Sequence, residues 1–370
     1  MGGSRLKQEI GGQSAWPDLP PELLERIIGV LAPVDRVAVR LVCASWRACV
    51  REFFPSDLPF EVPRLLIRRP GHGGGELAFF SLLHRKILPF ALPARVRGGR
   101  CCGHIGGWLA MALDSERAVV LCNPVSGRSV AVPAPPVFPV AKMVLSAPPT
   151  SPGWVAAALG RGGTIALLQP AVSGAWMTIG IEEGEQHGGF RDMALWRGRL
   201  SALGHDGTVF AFRADLRSRA AAVSTLRDAE RQLGGGSMCC RWQLYLVETQ
   251  GDLLLVRKRY CPRRDGGEVD WEVEVRLLAS PEKRRWDLLA ETPGLALFVG
   301  SVLSAAVPVA LYDAAPGLRE SCVYFARSHV EMMAPHAICE YSLLHEEMKP
   351  VPVAGGHAVD VEPVWITPFV

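Results

Sequence analysis

Between residues 16 and 53 the apolar positions recur at helical spacing. Leu23, Leu24, Ile27, Ile28 and Leu31 fall at i, i+1, i+4, i+5 and i+8, which predicts a broad apolar stripe on one helix. Pro20 or Pro21 suits its first turn, where a missing N–H leaves no bond unmade, and Pro33 ends it. Asp35 is placed to cap a second helix through Val37, Val39 and Leu41, and a third opens near Ser45 and carries Trp46, Cys49 and Val50. Three helices in so short a piece are below the size at which a chain usually stabilises itself without a metal, a disulfide or a partner. The stripe therefore needs a covering surface, from the following domain or from another protein.

After Phe53-Phe54-Pro55 the period changes from helical to strand-like. Short apolar or alternating runs are separated by glycine and proline turns. Met193 to Phe212, MALWRGRLSALGHDGTVFAF, predicts three strands in a meander with turns at Arg-Gly and His-Asp-Gly. QLYLVETQGDLLLVRKRY predicts a hairpin about Gln250-Gly251, WEVEVRLL alternates at Trp271, Val273, Val275 and Leu277, and VVLCNPVSGRSVAVPAP turns at Ser126-Gly127. Leu295 to Tyr312 is uncharged and near the lower length limit of a membrane helix, but Gly300, Ser301, Ser304 and Pro308 interrupt it, so two buried strands are expected. Such units recur at intervals of about 40 residues, the size of a four-stranded propeller blade. The predicted architecture is α+β and multidomain: a small N-terminal three-helix module followed by an all-β propeller of about six or seven blades. Its closing blade would pair PRLLIRR, from Pro63, with the terminal PVWITPFV.

Composition changes this picture little. Hydrophobic residues make up 49% and charged residues 21%, as in ordinary folded domains. The 40 basic against 37 acidic residues leave a net charge of +3, too weak a field to indicate nucleic acid or an acidic membrane as partner. The ten cysteines, with adjacent pairs at Cys101-Cys102 and Cys239-Cys240, lack zinc-ligand spacing and read as buried thiols of a reducing compartment. The N-terminal MGGSRLKQEIGGQSA has no apolar core of a signal peptide, so cytosol, nucleus or both are expected.

Motifs that carry chemistry are weak. GHGGG at 71–75 contains the oxyanion-hole string of some esterases, yet no G-x-S-x-G supplies a nucleophile, so a loop is expected. GRGGTI from Gly160 fails the last glycine of a dinucleotide fingerprint. Glu182, Glu183 and Glu185 offer paired carboxylates but sit in one glycine-rich turn, as solvated loops do. His104 and His205 read as surface or turn histidines, RKRYCPRR (Arg257 to Arg264) as a charged hairpin end, and most of Trp108, Trp154, Trp176, Trp196, Trp242, Trp271 and Trp286 as core. No catalytic residue, metal site or cofactor is predicted.

Two resemblances bear on function. WPDLPPELLERIIGVLAPVDRVAVRLVCASWRACV closely resembles the F-box in its L-P-x-E-L-L start, its apolar pairs and its V-C-x-x-W-R close. GRCCGHIGGWLAMAL, LCNPVSGRSVAVPAP, KMVLSAPPTSP, YLVETQGDLLLVRK, LALFVGS, SCVYFAR and PVWITPF resemble, in order, plant F-box proteins with a C-terminal domain of unknown function 295, the KIB-type β-propeller family. Departures occur at Leu121-Cys122-Asn123, where two leucines more often precede Asn-Pro, and in a shortened acidic loop around Glu182 to Glu185. The resemblance implies a tail at 1–14, an F-box at 15–53, a linker at 54–62 and the propeller at 63–370. It implies a non-catalytic substrate receptor that binds a Skp1-like adaptor, and through it a cullin, while the propeller holds a target protein. On that carry-over Leu19, Pro20, Leu23, Leu24, Ile27 and Ile28 face the adaptor, with Leu41, Val42 and Trp46 completing the patch. The alternative is a ubiquitin-independent propeller that binds a protein or glycan, with the helices as a cap; a hydrolase is the third class.

Overall fold

Short apolar runs broken by glycine, proline and Arg-Gly become successive antiparallel strands in the computed structural model of the chain. The structure describes residues 19–31, 39, 42–53, 62–68, 77–82, 85–89, 92–124, 126–171, 174–179, 189–205, 208–215, 220–226, 242–249, 251–261, 270–280, 285–312, 317–326, 338–353 and 363–367. Two compact units meet in sequence after Glu61. The first holds helices α1 (Pro21–Gly29) and α2 (Ala44–Phe53). Of the expected middle helix, Val39 is described and helical, whereas Asp35, Val37 and Leu41 lie outside the described residues.

The second unit is a propeller of six blades among the described residues. The first contains β1 (Arg64–Arg68), β2 (Leu77–Ser81) and β3 (Lys86–Pro89). The second is β4 (Arg100–Ile105), β5 (Trp108–Leu113), β6 (Ala118–Cys122) and β7 (Ser129–Ala131), and the third is β8 (Val140–Leu145), β9 (Ala156–Gly160), β10 (Ile165–Leu168) and β11 (Trp176–Ile179). The fourth is β12 (Phe190–Trp196), β13 (Arg199–Gly204), β14 (Val209–Asp215) and β15 (Ala220–Leu226), and the fifth is β16 (Gln243–Thr249), β17 (Asp252–Cys261), β18 (Asp270–Ser280) and β19 (Arg285–Leu289). The sixth departs from the meander. Its β20 (Leu295–Val299), β21 (Ala305–Pro308), β22 (Cys322–Ala326), β23 (Ile338–Ser342) and β24 (Glu347–Val351) lie in the order β21-β20-β22-β23-β24, with β20 and β22 parallel.

The predicted turns explain the hairpins. Trp196 pairs with Arg199 around Arg197 and Gly198, whose φ of 49° and 70° are the positive values a two-residue hairpin of matching twist requires. Arg197 tolerates that conformation while its guanidinium donates to the Gly251 carbonyl (2.8 Å) and covers the Trp196 ring. β16 and β17 pair as the expected hairpin, with Thr249 opposite Asp252 and Gly251 at φ 94°; Gln250 lies outside the described residues. Leu295 to Tyr312 forms the antiparallel pair β20–β21, and no helix of the described residues is long and apolar enough to cross a membrane.

Closure follows the expected pairing. The last strand, β25 (Val364–Ile366), joins the first blade antiparallel to β1, placing Arg64, Leu65 and Leu66 opposite Ile366, Trp365 and Val364. Trp365 is fully buried, edge-on to Phe298 at 5.0 Å, and Phe298 stacks on Tyr324 at 5.1 Å, so the closing strand is packed against the sixth blade as well as paired with the first. Between the other blades apolar clusters fill each interface, for example Trp108 and Leu121 with Val140 and Ala158, or Phe190 and Phe210 with Leu159 and Leu167.

A charge pair also crosses blades. Lys142 on β8 donates to Asp192 Oδ1 on β12 at 2.6 Å, both side chains being buried. The same carboxylate accepts the N–H of Met193 (2.8 Å) and, through Oδ2, that of Leu246 on β16 (2.9 Å). Burying a carboxylate is costly unless its lone pairs are used, and here one group uses them on three consecutive blades. His104 belongs to this region: rather than a surface or turn residue it lies half-buried in β4, with Nδ1 3.2 Å from Thr367 Oγ1, just after the closing strand. Burial, and secondarily the Lys142 charge, push its pKa down to about 4.

Trp365→Ala removes the closing strand's packing and should cost about 3–5 kcal/mol in urea unfolding, against a small effect for an exposed strand residue. The unfolded chain protonates His104 near pH 6.5 while the folded chain resists until about 4, so stability is full above that window and falls as pH drops through it. His104→Gln should flatten the urea midpoint across that window relative to wild type; an unchanged slope contradicts the assignment.

Candidate partner-docking site

The helical unit is built from its caps inward. The Pro20 carbonyl accepts the N–H groups of Leu23 (3.0 Å) and Leu24 (3.1 Å), and Pro21 occupies the first helical position of α1. The Cys43 carbonyl accepts the Arg47 N–H at 3.1 Å to start α2, while its thiol lies 3.1 Å from the Ser45 hydroxyl. That hydroxyl and the Trp46 N–H lower the Cys43 pKa. Cys49 Sγ reaches the Pro21 carbonyl at 3.9 Å and ties the middle of α2 to the start of α1.

Between the helices lies a core of Leu24, Ile28, Val39, Trp46, Cys49 and Val50, with Leu19, Leu31 and Cys43 packed against it. All of its members come from this unit. Leu24 and Ile28, at i and i+4, line the inward face of α1, and Leu31, two residues past its end, packs beside them. A second stripe runs beside it: Pro20, Leu23, Ile27 and Val30 fall within an arc of about 80° at 100° per residue. These side chains are not sealed. Leu23 is 46% exposed and Val30 85%, Pro20 is exposed, Ile27 is half-buried, and Val42, ahead of α2, is 58% exposed.

The nine predicted docking residues thus divide. Leu24, Ile28 and Trp46 go to the unit's own interior, and Leu19 packs against it. Pro20, Leu23 and Val42 are outward, Ile27 is at the margin, and Leu41 lies outside the described residues. Val30 was not among the nine, although its position three residues after Ile27 continues the outer stripe.

Elsewhere several of the singled-out side chains among the described residues are used in packing and internal bonds. Trp108, Trp154, Trp196 and Trp286 are buried as expected, and the Trp176 and Trp196 indoles donate to the carbonyls of Pro133 and Gly251, each at 2.8 Å. Arg257 to Cys261 form the loop-proximal half of β17 in the β17–β18 hairpin, where Arg257 and Lys258 are buried rather than solvated; residues 262–264 lie outside the described residues. Arg257 pairs with Glu274 and Arg259 with Glu272, both guanidiniums lie over the Trp242 ring, and buried Lys258 sits over the rings of Trp271 and Phe325. His205 stays in its turn and accepts the Arg191 Nε–H at 2.8 Å. Gly163, at φ 80°, lies so close to Gly189 that a Cβ would collide with backbone at 2.8 Å, and one on Gly160 would meet the Val137 carbonyl at 2.8 Å, so these two glycines serve backbone packing. Cys101, Cys102 and Cys122 are buried free thiols, and burial pushes Cys102 up to about 12 and Cys122 to about 11. Residues 71–75, Glu182, Glu183, Glu185 and the Cys239-Cys240 pair lie outside the described residues.

Comparison with known proteins agrees with this architecture. A family model described as KIB1-4 beta-propeller matches residues 79–342, and one described as F-box-like matches residues 16–54. Comparison with the curated proteins finds no match. Among solved structures the chain is similar to one of S. cerevisiae dbp5 bound to nup159, gle1, ip6 and adp, at 12% identity over 64% of this chain and 63% of that one, TM-score 0.34. It is also similar to BBS1N in complex with ARL6DN, at 12% identity over 80% of this chain and 77% of that one, TM-score 0.37. The chain therefore spans just under two thirds of the length of the first of these.

The division of α1 into two stripes has a direct test. Ile28→Ala should cost the helical unit about 2–5 kcal/mol, read as faster amide exchange in α1, whereas Leu23→Ser should stay within about 0.5 kcal/mol of wild type.

Proposed function

The chain belongs to the KIB1-4 beta-propeller family and carries an F-box-like module ahead of its propeller, and from this we propose that it is a substrate-receptor subunit of a Skp1–cullin–F-box ubiquitin ligase. One observation carries the reading. The described residues of the module form a small core and still leave Pro20, Leu23, Val30 and Val42 facing outward. Each large aliphatic side chain covered by a partner contributes roughly 1.5–3 kcal/mol, so a few of them suffice to anchor an adaptor. In this arrangement Pro20, Leu23, Ile27, Val30 and Val42 touch Skp1, and Leu41 keeps the place the family resemblance gives it. Leu19, Leu24, Ile28 and Trp46 act through shape, fixing the helix that presents the others.

The protein contributes no bond chemistry in this role. The propeller holds a target while the adaptor holds the module, and the target's lysines meet the ubiquitin thioester at raised effective concentration. A rigid propeller suits this, since positioning is lost if the holder bends. The free buried thiols suit the reducing cytosol or nucleus, where we place the complex.

Recovery of Skp1 and cullin with the tagged full chain from cells tests the proposal. Leu23→Asp with Val42→Asp should reduce Skp1 by at least about tenfold at unchanged melting temperature, because both positions are exposed. Wild-type recovery by that variant, or no Skp1 on the wild type, overturns the ligase reading; a target recovered without Skp1 supports the ubiquitin-independent scaffold.

A further inference from the structure

The propeller has a second apolar feature that its core does not use. Among the described residues it exposes two large aliphatic side chains, Leu288 at 62% and Leu344 at 57%, and both lie on one groove. The groove runs between the fifth and sixth blades, bounded by the start of β18, the end of β19 and the turn after β23, and encloses about 670 Å³. That volume is in the range of specific binding sites. Val273, Leu289, Tyr341 and Leu343 line it and belong to, or pack on, the core between these blades, so its walls are rigid.

The charged side chains among its described lining residues are carboxylates. Glu272, Glu274 and Glu346 line the groove, and among the described residues no lysine or arginine lines it. Glu274 is spent on Arg257 and Arg276, behind the wall. Glu272 pairs with Arg259 yet keeps 43% of its side chain exposed, and Glu346 stands exposed at a turn with φ 51°. Burial raises the pKa of the Tyr341 phenol, and Glu346 and Glu272 add to the effect, as a negative field would. An apolar trough with carboxylates at its rim repels acidic peptides and anionic lipid headgroups alike.

We propose that this groove holds a basic segment of the target protein, an extended peptide with an aliphatic side chain set between Leu288 and Leu344 and flanking lysines or arginines directed at Glu346 and Glu272. The proposal deepens the target-holding half of the proposed function and rests on it, while leaving the adaptor half untouched.

The probe is a short fluorescein-labelled peptide of alternating lysine and leucine, with a glutamate–leucine control, titrated by anisotropy against the full chain. The basic probe should bind and the acidic control should not. Leu288→Asp with Leu344→Asp should weaken the basic probe at least about tenfold, and Glu346→Lys should weaken it severalfold, with a smaller difference at high salt. Both variants should melt as wild type does and still recover Skp1, so failure here is separable from failure of the adaptor reading. Equal binding of the two probes, no binding, or undiminished binding by the variants overturns the proposal, as does a wild-type dimer in sedimentation that Leu344→Asp dissolves, which would make the groove a contact between copies.

Discussion

The pairing of Val364–Ile366 with Arg64–Leu66 is the contact on which the propeller depends. Each blade buries its faces against its neighbours, so a series of blades leaves two bare faces until its ends meet. Closure by a strand from the far end of the chain makes the first blade a composite of both ends. Trp365 then converts that pairing into packing by meeting Phe298 on the sixth blade. The buried Lys142–Asp192 pair, with its reach to the Leu246 amide, adds a directional bond among the third, fourth and fifth blades that a purely apolar interface would lack.

Much of this could be read from residues because the relevant signals are local. Arg197-Gly198 and Gln250-Gly251 mark hairpins by turn chemistry, and the glycine, serines and proline between Leu295 and Tyr312 divide that run into two strands. The module's helices follow from the spacing of Leu23, Leu24, Ile27 and Ile28. What spacing could not do was separate two adjoining stripes on α1. Leu23 and Leu24 are both leucine, and only the position of α2 makes one of them interior.

Non-local contacts account for the other differences. His104 beside two glycines looks like a turn residue until Thr367, hundreds of positions away, is brought to its ring. The basic run from Arg257 looks solvated because its partners, Trp242, Glu272, Glu274 and Phe325, are supplied by neighbouring strands. The extra strand of the sixth blade and its parallel β20–β22 pair have no sequence signature, since parallel and antiparallel strands in a buried sheet are alike in composition.

Form and proposed role are linked through the two separate uses of apolar surface. Among the described residues of the propeller nearly every large aliphatic side chain is consumed by blade packing, and the two exposed ones lie at one acidic groove. In the helical unit the inner stripe is consumed and the outer one is left over. Amide hydrogen exchange on the full chain with and without purified Skp1 tests the central claim most directly. The account predicts protection confined to residues 19–31 and 42–46, with propeller amides unchanged; absence of a complex, or protection that falls on the propeller instead of α1, would contradict it.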